Sequence, residues 1–400
     1  NVAELTDLNL TVDRVQNGQA GKMNVGGNAR FETHSSISDA PTHGLVQAKV
    51  GGSFAFALDS ALRPKTVQGA TRFDLSRAEG SLSDFASLGG VLECDLTPTE
   101  MRQLALRFER SGKTLGQVRV SGPLDLAKSE GTLKIEILSI DRQVLNLYGA
   151  TRGWDFGAST LNSTNLVDIS EKGTSFRANG KIFGRQLSLE QNQRATPPLD
   201  LEADYQFTLS LEEKNAVLRK LSVVVQQGNK DLLQTSLDRP MNLTWGSTIP
   251  GFAESSFQLV LTNLNLGDWA SVLGTNALAG KVGLRLNLLA QRDGRLLTTD
   301  LAAQVEDLAA QVGTNQIDHA QLLFRFNGDL EDFKFINLNE FNFNLNQSGQ
   351  SLAQGNGSFR YDLPRRELTG QSTVEASLPQ LLQQVPLPQI RSLAGRAPRE

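Results

Sequence analysis

The chain has 400 residues, of which 39% are hydrophobic and 20% charged, with 39 basic and 43 acidic residues and a formal net charge of -4. That balance excludes a disordered polyelectrolyte. It also sets nucleic-acid binding aside, because no basic run supplies the clustered cationic footprint that such binding needs. A single cysteine, Cys94, rules out an internal disulfide and a cysteine-based zinc site, and no stretch approaches the roughly 20 apolar residues that span a bilayer as a helix.

Read in chain order, the sequence alternates apolar and polar residues with period 2, the signature of strands with one apolar and one polar face. Phe54, Phe56 and Leu58 open the series, followed by Leu104, Leu106 and Phe108, then Leu133, Ile135 and Ile137. The longest run places Leu201, Ala203, Tyr205, Phe207, Leu209 and Leu211 on one parity, with Glu202, Asp204, Gln206, Thr208 and Ser210 between them. A helix would spread those apolar residues around its whole circumference. Further on come Val282, Leu284, Leu286 and Leu288, then Leu322, Phe324 and Phe326. Last are Phe333, Phe335, Phe341, Phe343 and Leu345, all of one parity and expected on one face. Asn17-Gly18, Ser111-Gly112, Lys172-Gly173, Gly228-Asn229, Asp293-Gly294 and Asn327-Gly328 separate these runs with residues that tolerate the positive φ of hairpin turns.

Short helices are expected at four places, each with a capping start and a Gly or Pro stop: 83–88, 141–147, 267–273 and 377–382. The capping-box-like Thr97-Pro98-Thr99-Glu100 instead precedes an alternating run, which makes it a turn into a strand. The reading is therefore all-β: a long antiparallel meander of roughly two dozen strands with a few short punctuating helices. Pro197-Pro198 marks the expected internal boundary, giving β-meander units over 1–196 and 199–390 and a polar tail over 391–400. The opening at Asn1 rather than Met, with strand pattern running by Leu8, makes the chain a segment of a longer protein in this reading.

So few helices leave the apolar face of such a sheet three dry destinations: a sandwich, a closed barrel, or a trough whose floor holds an apolar ligand. Strand faces rich in Leu, Val, Ala and Phe, with only three Tyr and three Trp, fit a trough better than a glycan platform, which stacks sugars on exposed Tyr and Trp. Sandwich core and trough floor look alike in the sequence.

The stretches Leu278-Ala279-Gly280-Lys281-Val282-Gly283-Leu284-Arg285-Leu286-Asn287, Gly355-Asn356-Gly357-Ser358-Phe359-Arg360-Tyr361-Asp362 and Leu264-Asn265-Leu266-Gly267-Asp268-Trp269 resemble AsmA-like proteins, and more distantly the TamB-like and bridge-like lipid-transfer proteins. The resemblance implies a meander curled into an elongated groove, in the periplasm, tethered to the inner membrane by a transmembrane anchor that this chain lacks. It further implies acyl lipid, phospholipid in particular, as the partner, contact with the inner and outer membranes through other parts of the protein, and a role in phospholipid transport and outer-membrane biogenesis. No family active site exists to carry over. The implied lipid-contacting residues are apolar-parity positions: Phe207, Leu209, Leu284, Leu286, Phe324, Phe326, Phe341 and Phe343. The rival readings are a ligand-free structural or adhesin-type β-sandwich and a glycan enzyme on a β-scaffold.

Chemistry-bearing residues are otherwise sparse. His34 and His43 lie in a loop-like stretch near Glu32 and Asp39, where a solvated pair is the ordinary outcome. Cys94, between Glu93 and Asp95, has neighbours that raise a thiol pKa, so it reads as a packed small residue. Glu212-Glu213 and Glu331-Asp332 sit beside turns as solvated acids. Trp154, Trp245 and Trp269 read as packing at strand or helix ends. No nucleotide-binding, zincin or nucleophile-elbow motif occurs, so no catalytic residue, metal ligand or cofactor is expected.

Overall fold

The computed structural model describes residues 2–377 except positions 14, 17, 36–41, 81, 245–253, 274–277, 293, 294, 313, 314 and 333. Among the described residues the chain is all-β: 23 strands, two eight-residue α-helices and three short 3-10 turns. Every strand pairing is antiparallel, and the strands follow one another as a meander. The chain divides into two units, 1–213 and 214–400.

In the first unit each strand pairs with its predecessor in sequence. They are β1 (Val2–Val12), β2 (Ala20–Ser35), β3 (Thr42–Leu58), β4 (Pro64–Gly80), β5 (Leu88–Leu96) and β6 (Glu100–Arg110), then β7 (Lys113–Asp125), β8 (Glu130–Asp141), β9 (Thr160–Ser170) and β10 (Ser175–Leu187). A two-strand flap of β11 (Glu190–Gln191) and β12 (Arg194–Ala195) interrupts the series before β13 (Leu199–Ser210) pairs back onto β10. That pairing runs along all of β13, so Pro197-Pro198 lies inside the first unit. The division between the two units falls at 213/214.

The second unit opens with β14 (Asn215–Gln227), which pairs with both β15 (Lys230–Arg239) and β16 (Met241–Thr244). Pro240, which has no N–H to give a ladder, separates those two. The meander then runs through β17 (Glu254–Asn265), β18 (Leu278–Gln291), β19 (Leu296–Val312), β20 (Asn315–Glu331), β21 (Phe335–Gln347), β22 (Gln350–Asp362) and β23 (Glu367–Ala376).

Two-residue turns close the hairpins as expected at Ser111-Gly112 (φ 50° and 81°) and at Gly228-Asn229. Asn327-Gly328 is no turn. It lies within β20, at a register shift against β21, and the strand pairs on to Glu331. A Cβ on Gly328 would stand 2.6 Å from the Asn337 carbonyl oxygen, so glycine serves close strand approach there. Asn17 and Asp293-Gly294 lie outside the described residues.

Of the expected helices, 83–88 is a 3-10 turn (Ser83–Phe85), 141–147 is α1 (Arg142–Gly149) and 267–273 is α2 (Leu266–Leu273). The fourth falls outside the described residues beyond Ser377. Asp141 caps α1, its carboxylate accepting from the Gln143 and Val144 N–H groups at 2.9 and 3.3 Å.

In the first unit, α1 and the 3-10 turn plug one end of the sheet. Leu82, Phe85, Leu88, Leu115, Ile140 and Val144 form its one buried cluster among the described residues, and Val46, Leu75, Phe108, Ile137 and Leu161 pack against it. Those side chains come from β3, β4, β6, β8 and β9. In a flat sheet β3 and β9 would stand about 29 Å apart at the usual strand spacing, so their packing against one buried cluster points to a curled sheet. Arg142 clasps the plug by a bidentate pair with Asp155.

Bulges keep the alternation in phase. Four of them fall where two apolar residues are three apart, in Leu5-Thr6-Asp7-Leu8, Ile137-Leu138-Ser139-Ile140, Leu261-Thr262-Asn263-Leu264 and Val305-Glu306-Asp307-Leu308. The polar residue at each third position takes a left-handed backbone, with φ of 54°, 49°, 59° and 51°. The bulge absorbs the extra residue, and the next apolar side chain returns to the face of the last. Replacing Asn263 by Val should destabilise the protein by about 1–2 kcal/mol, because a β-branched residue resists that conformation, whereas Asn263→Gly should stay within about 0.5 kcal/mol of the parent. Urea unfolding tests this; a Val variant as stable as the parent would contradict it.

Candidate functional site

The candidate site is the apolar face of the meander, and strand register sets its composition. In the second unit Leu284, Ala303, Phe324, Phe343 and Gly355 are consecutive partners across β18 to β22. The adjacent row on that face is Leu286, Leu301, Phe326, Phe341 and Gly357. Six of the eight residues singled out from the sequence thus meet in two neighbouring rows. Phe207 and Leu209 belong to the first unit, on β13, where they face Ala178 and Phe176 of β10.

All eight are half-buried. The fully buried apolar residues of the second unit, among those described, are only Val225, Leu232, Ala290, Ala320 and Leu352. A packed sandwich would bury the Phe and Leu rows completely; here they keep one side open.

Phenylalanines lie down on this face. Phe54, Phe73, Phe343, Phe341 and Phe359 each have a glycine as cross-strand partner: Gly69, Gly90, Gly355, Gly357 and Gly370. A Cβ at Gly355 would sit 2.4 Å from the Phe343 ring, and one at Gly370 would sit 2.3 Å from the Phe359 ring. The rings therefore occupy the space a side chain would take, as aromatics covering strand glycines do. Phe341 and Phe359 stack with centroids 5.5 Å apart and planes 12° apart. The result is a low apolar floor of ring faces and Leu branches.

Phe335 departs from the expectation that it shares this face. The register slips between Leu338 and Phe341, so Ile336 and Leu338 carry the apolar parity before the slip. Phe335 turns to the polar face, where the Arg360 guanidinium lies 4.6 Å from its ring centroid. Phe333 lies outside the described residues.

One polar island interrupts the apolar face of the first unit. Tyr205 donates to Asn165 Oδ1 at 2.7 Å, and Asn165 Nδ2 donates to Ser163 Oγ at 2.7 Å and to the Ile135 carbonyl at 3.3 Å. Burial raises the Tyr205 phenol above its ordinary value.

His34 and His43 are register partners at the end of the β2–β3 hairpin, in strands where a loop was expected; their side chains are outside the described set. His319 Nδ1 lies 2.6 Å from Asp307 on an exposed rim. Cys94 sits on the apolar face between Gly69 and Leu104. Its thiol is raised first by burial and then by Asp95, so desolvation rather than acidic neighbours leads. Among the described residues no group of three or more His, Cys, Asp or Glu is placed to hold a metal, and no helix is long and apolar enough to cross a membrane. Trp154 packs near Tyr148, centroids 6.3 Å apart; Trp245 is outside the described residues.

No family model, curated protein or solved structure matches the chain.

Two predictions follow from this geometry. Gly355→Ala should destabilise by about 1–3 kcal/mol, the usual cost of overpacking, and Phe343→Leu in the same chain should recover most of the loss. Chemical denaturation of the single and double variants checks it, and a double variant with purely additive losses would contradict ring contact as the cause. At the plug, the hydrogen bonds from Arg142 hold Asp155 down at about 2, helped by the Gly157 N–H. A depressed carboxylate contributes stability that is present above its unfolded value near 3.9 and is lost as pH falls through about 2. Arg142→Gln should move the Asp155 carbon-13 carboxyl titration back toward the ordinary range; a midpoint still near 2 would contradict the assignment.

Proposed function

We propose that the chain is a non-catalytic lipid-binding β-trough whose apolar face receives acyl chains. The reading rests on one observation above the others: the Phe and Leu rows are continuous across strands yet half-open, with Phe rings laid flat over glycines. A floor built that way is apolar, shallow and much the same from one strand to the next, which suits a ligand recognised by area rather than by directed bonds. The magnitude is sufficient. Each buried CH₂ contributes about 0.8 kcal/mol, so a 16-carbon chain gains up to about 12 kcal/mol before ordering costs. Sliding from row to row exchanges like contacts for like, so transport along the trough requires no chemistry. The resemblance to AsmA-like proteins adds phospholipid as the preferred cargo, the periplasm as the compartment and outer-membrane biogenesis as the process.

Organic extraction and mass spectrometry of the purified chain should find phospholipid that a mock purification lacks. Leu209→Arg and Phe326→Arg should each cut that loading while the far-ultraviolet circular dichroism stays β-type, because a half-open site lets a long charged side chain reach water. If both variants unfold, the face is a dry core in which an unpaired charge is intolerable, and the ligand-free structural reading takes over.

A further inference from the structure

The opposite, polar face of the second unit carries a cavity of about 630 Å³ that crosses β17 to β23. Register shows how it is built. One wall is the row Arg285, Ala302, Arg325, Asn342, Asn356 and Thr373. The other is Gly283, Gln304, Leu323, Asn344, Gln354 and Glu375, in register from strand to strand. All twelve line the cavity, and between the walls runs the Leu284–Phe324–Phe343 row as floor. Residues one position either side of a row project from the face opposite to it, so the furrow lies behind the lipid-candidate face. The neighbouring apolar row of Leu286, Phe326 and Phe341 is absent from its lining.

The furrow is lined by amides and carries two arginines, Arg285 and Arg325, beside one acid, Glu375. The lining acid Glu375 accepts from Gln354 at 2.7 Å, and just outside the lining Glu340 accepts from Asn342 at 2.8 Å and Glu306 from Gln304 at 3.4 Å. Arg285 and Arg325 have no carboxylate partner among the described residues and are exposed. They stand two strands apart in one row, about 10 Å at the usual strand spacing. The Asn344 side-chain oxygen, buried beside the cavity, has no hydrogen-bond partner among the described residues. No aromatic ring stands on either wall, so stacking gives way to charge and amide hydrogen bonds.

We propose that this furrow binds an extended acidic oligosaccharide, its acid groups taken by Arg285 and Arg325 and its hydroxyls by the amide walls. Guanidinium forks match carboxylate and phosphate in geometry and charge. A furrow crossing seven strands fits a chain rather than a compact anion, and the arginine spacing suits one acid per disaccharide. This site is independent of lipid binding on the other face.

Isothermal titration of the full chain at low salt tests it with three probes: a hyaluronan octasaccharide, the same octasaccharide with its carboxylates reduced to alcohols, and inorganic tripolyphosphate. The acidic octasaccharide should bind saturably and more weakly as salt rises. The doubly substituted Arg285→Gln, Arg325→Gln protein should lose at least about tenfold in affinity with unchanged circular dichroism, since both positions are exposed. The reduced octasaccharide should bind no better than that variant does. Three results would each overturn the proposal: no saturable binding of the acidic chain, equal binding by the double variant, or binding of tripolyphosphate alone, which would make the site one for a compact phosphate.

Discussion

Everything in this protein depends on keeping one apolar face in phase over a very long antiparallel meander. A strand pair slipped by one residue would turn its whole apolar set to the wrong side. The chain meets that constraint with local devices. Where apolar residues fall three apart, Asp7, Ser139, Asn263 and Asp307 take left-handed backbone and absorb the extra position. Each is a residue type that tolerates positive φ better than most, or at least carries a short polar side chain. Removing these devices would scramble both faces at once, because the polar furrow and the apolar floor are set by the same register.

Two structural solutions deal with the apolar face in different places. In the first unit, α1 and the turn at Ser83–Phe85 fill one end and form a buried hydrophobic cluster with the strands around them. Elsewhere the face is left half-open, and cross-strand Phe–Gly pairs keep it low. Those glycines weaken a strand in isolation; the ring lying over each recovers part of that loss. A pattern that costs strand propensity and leaves ring faces toward solvent makes sense for a surface that meets something apolar, and the lipid proposal rests on it.

Much of this was legible in the sequence. The alternation from Leu201 to Leu209 lies in one strand, with Leu211 in the turn after it, and the capped segments at 141 and 267 are the two α-helices. What was hidden was hidden for physical reasons. Phe335 has the same sequence parity as Phe341 but the opposite face, because a bulge lies between them; parity counts residues, and bulges add one. The signal that would have revealed it is an apolar spacing of three around a polar residue, as at Leu338-Asn339-Glu340-Phe341. Asn327-Gly328 mimics a turn, since the same glycine serves tight turns and close strand approach. The furrow was illegible for another reason: Arg285 and Arg325 are brought together only by the pairing of β18, β19 and β20, which composition does not record.

The most direct measurement is a photo-crosslinking scan along β20, placing a benzophenone amino acid at each position from Gln321 to Phe326 in turn and recovering the lipid adducts. A lipid-bearing apolar face gives a period-2 ladder, with adducts at Leu322, Phe324 and Phe326 and none at Gln321, Leu323 and Arg325. Adducts at both parities, or none from protein purified with membranes present, would contradict acyl-chain binding on that face.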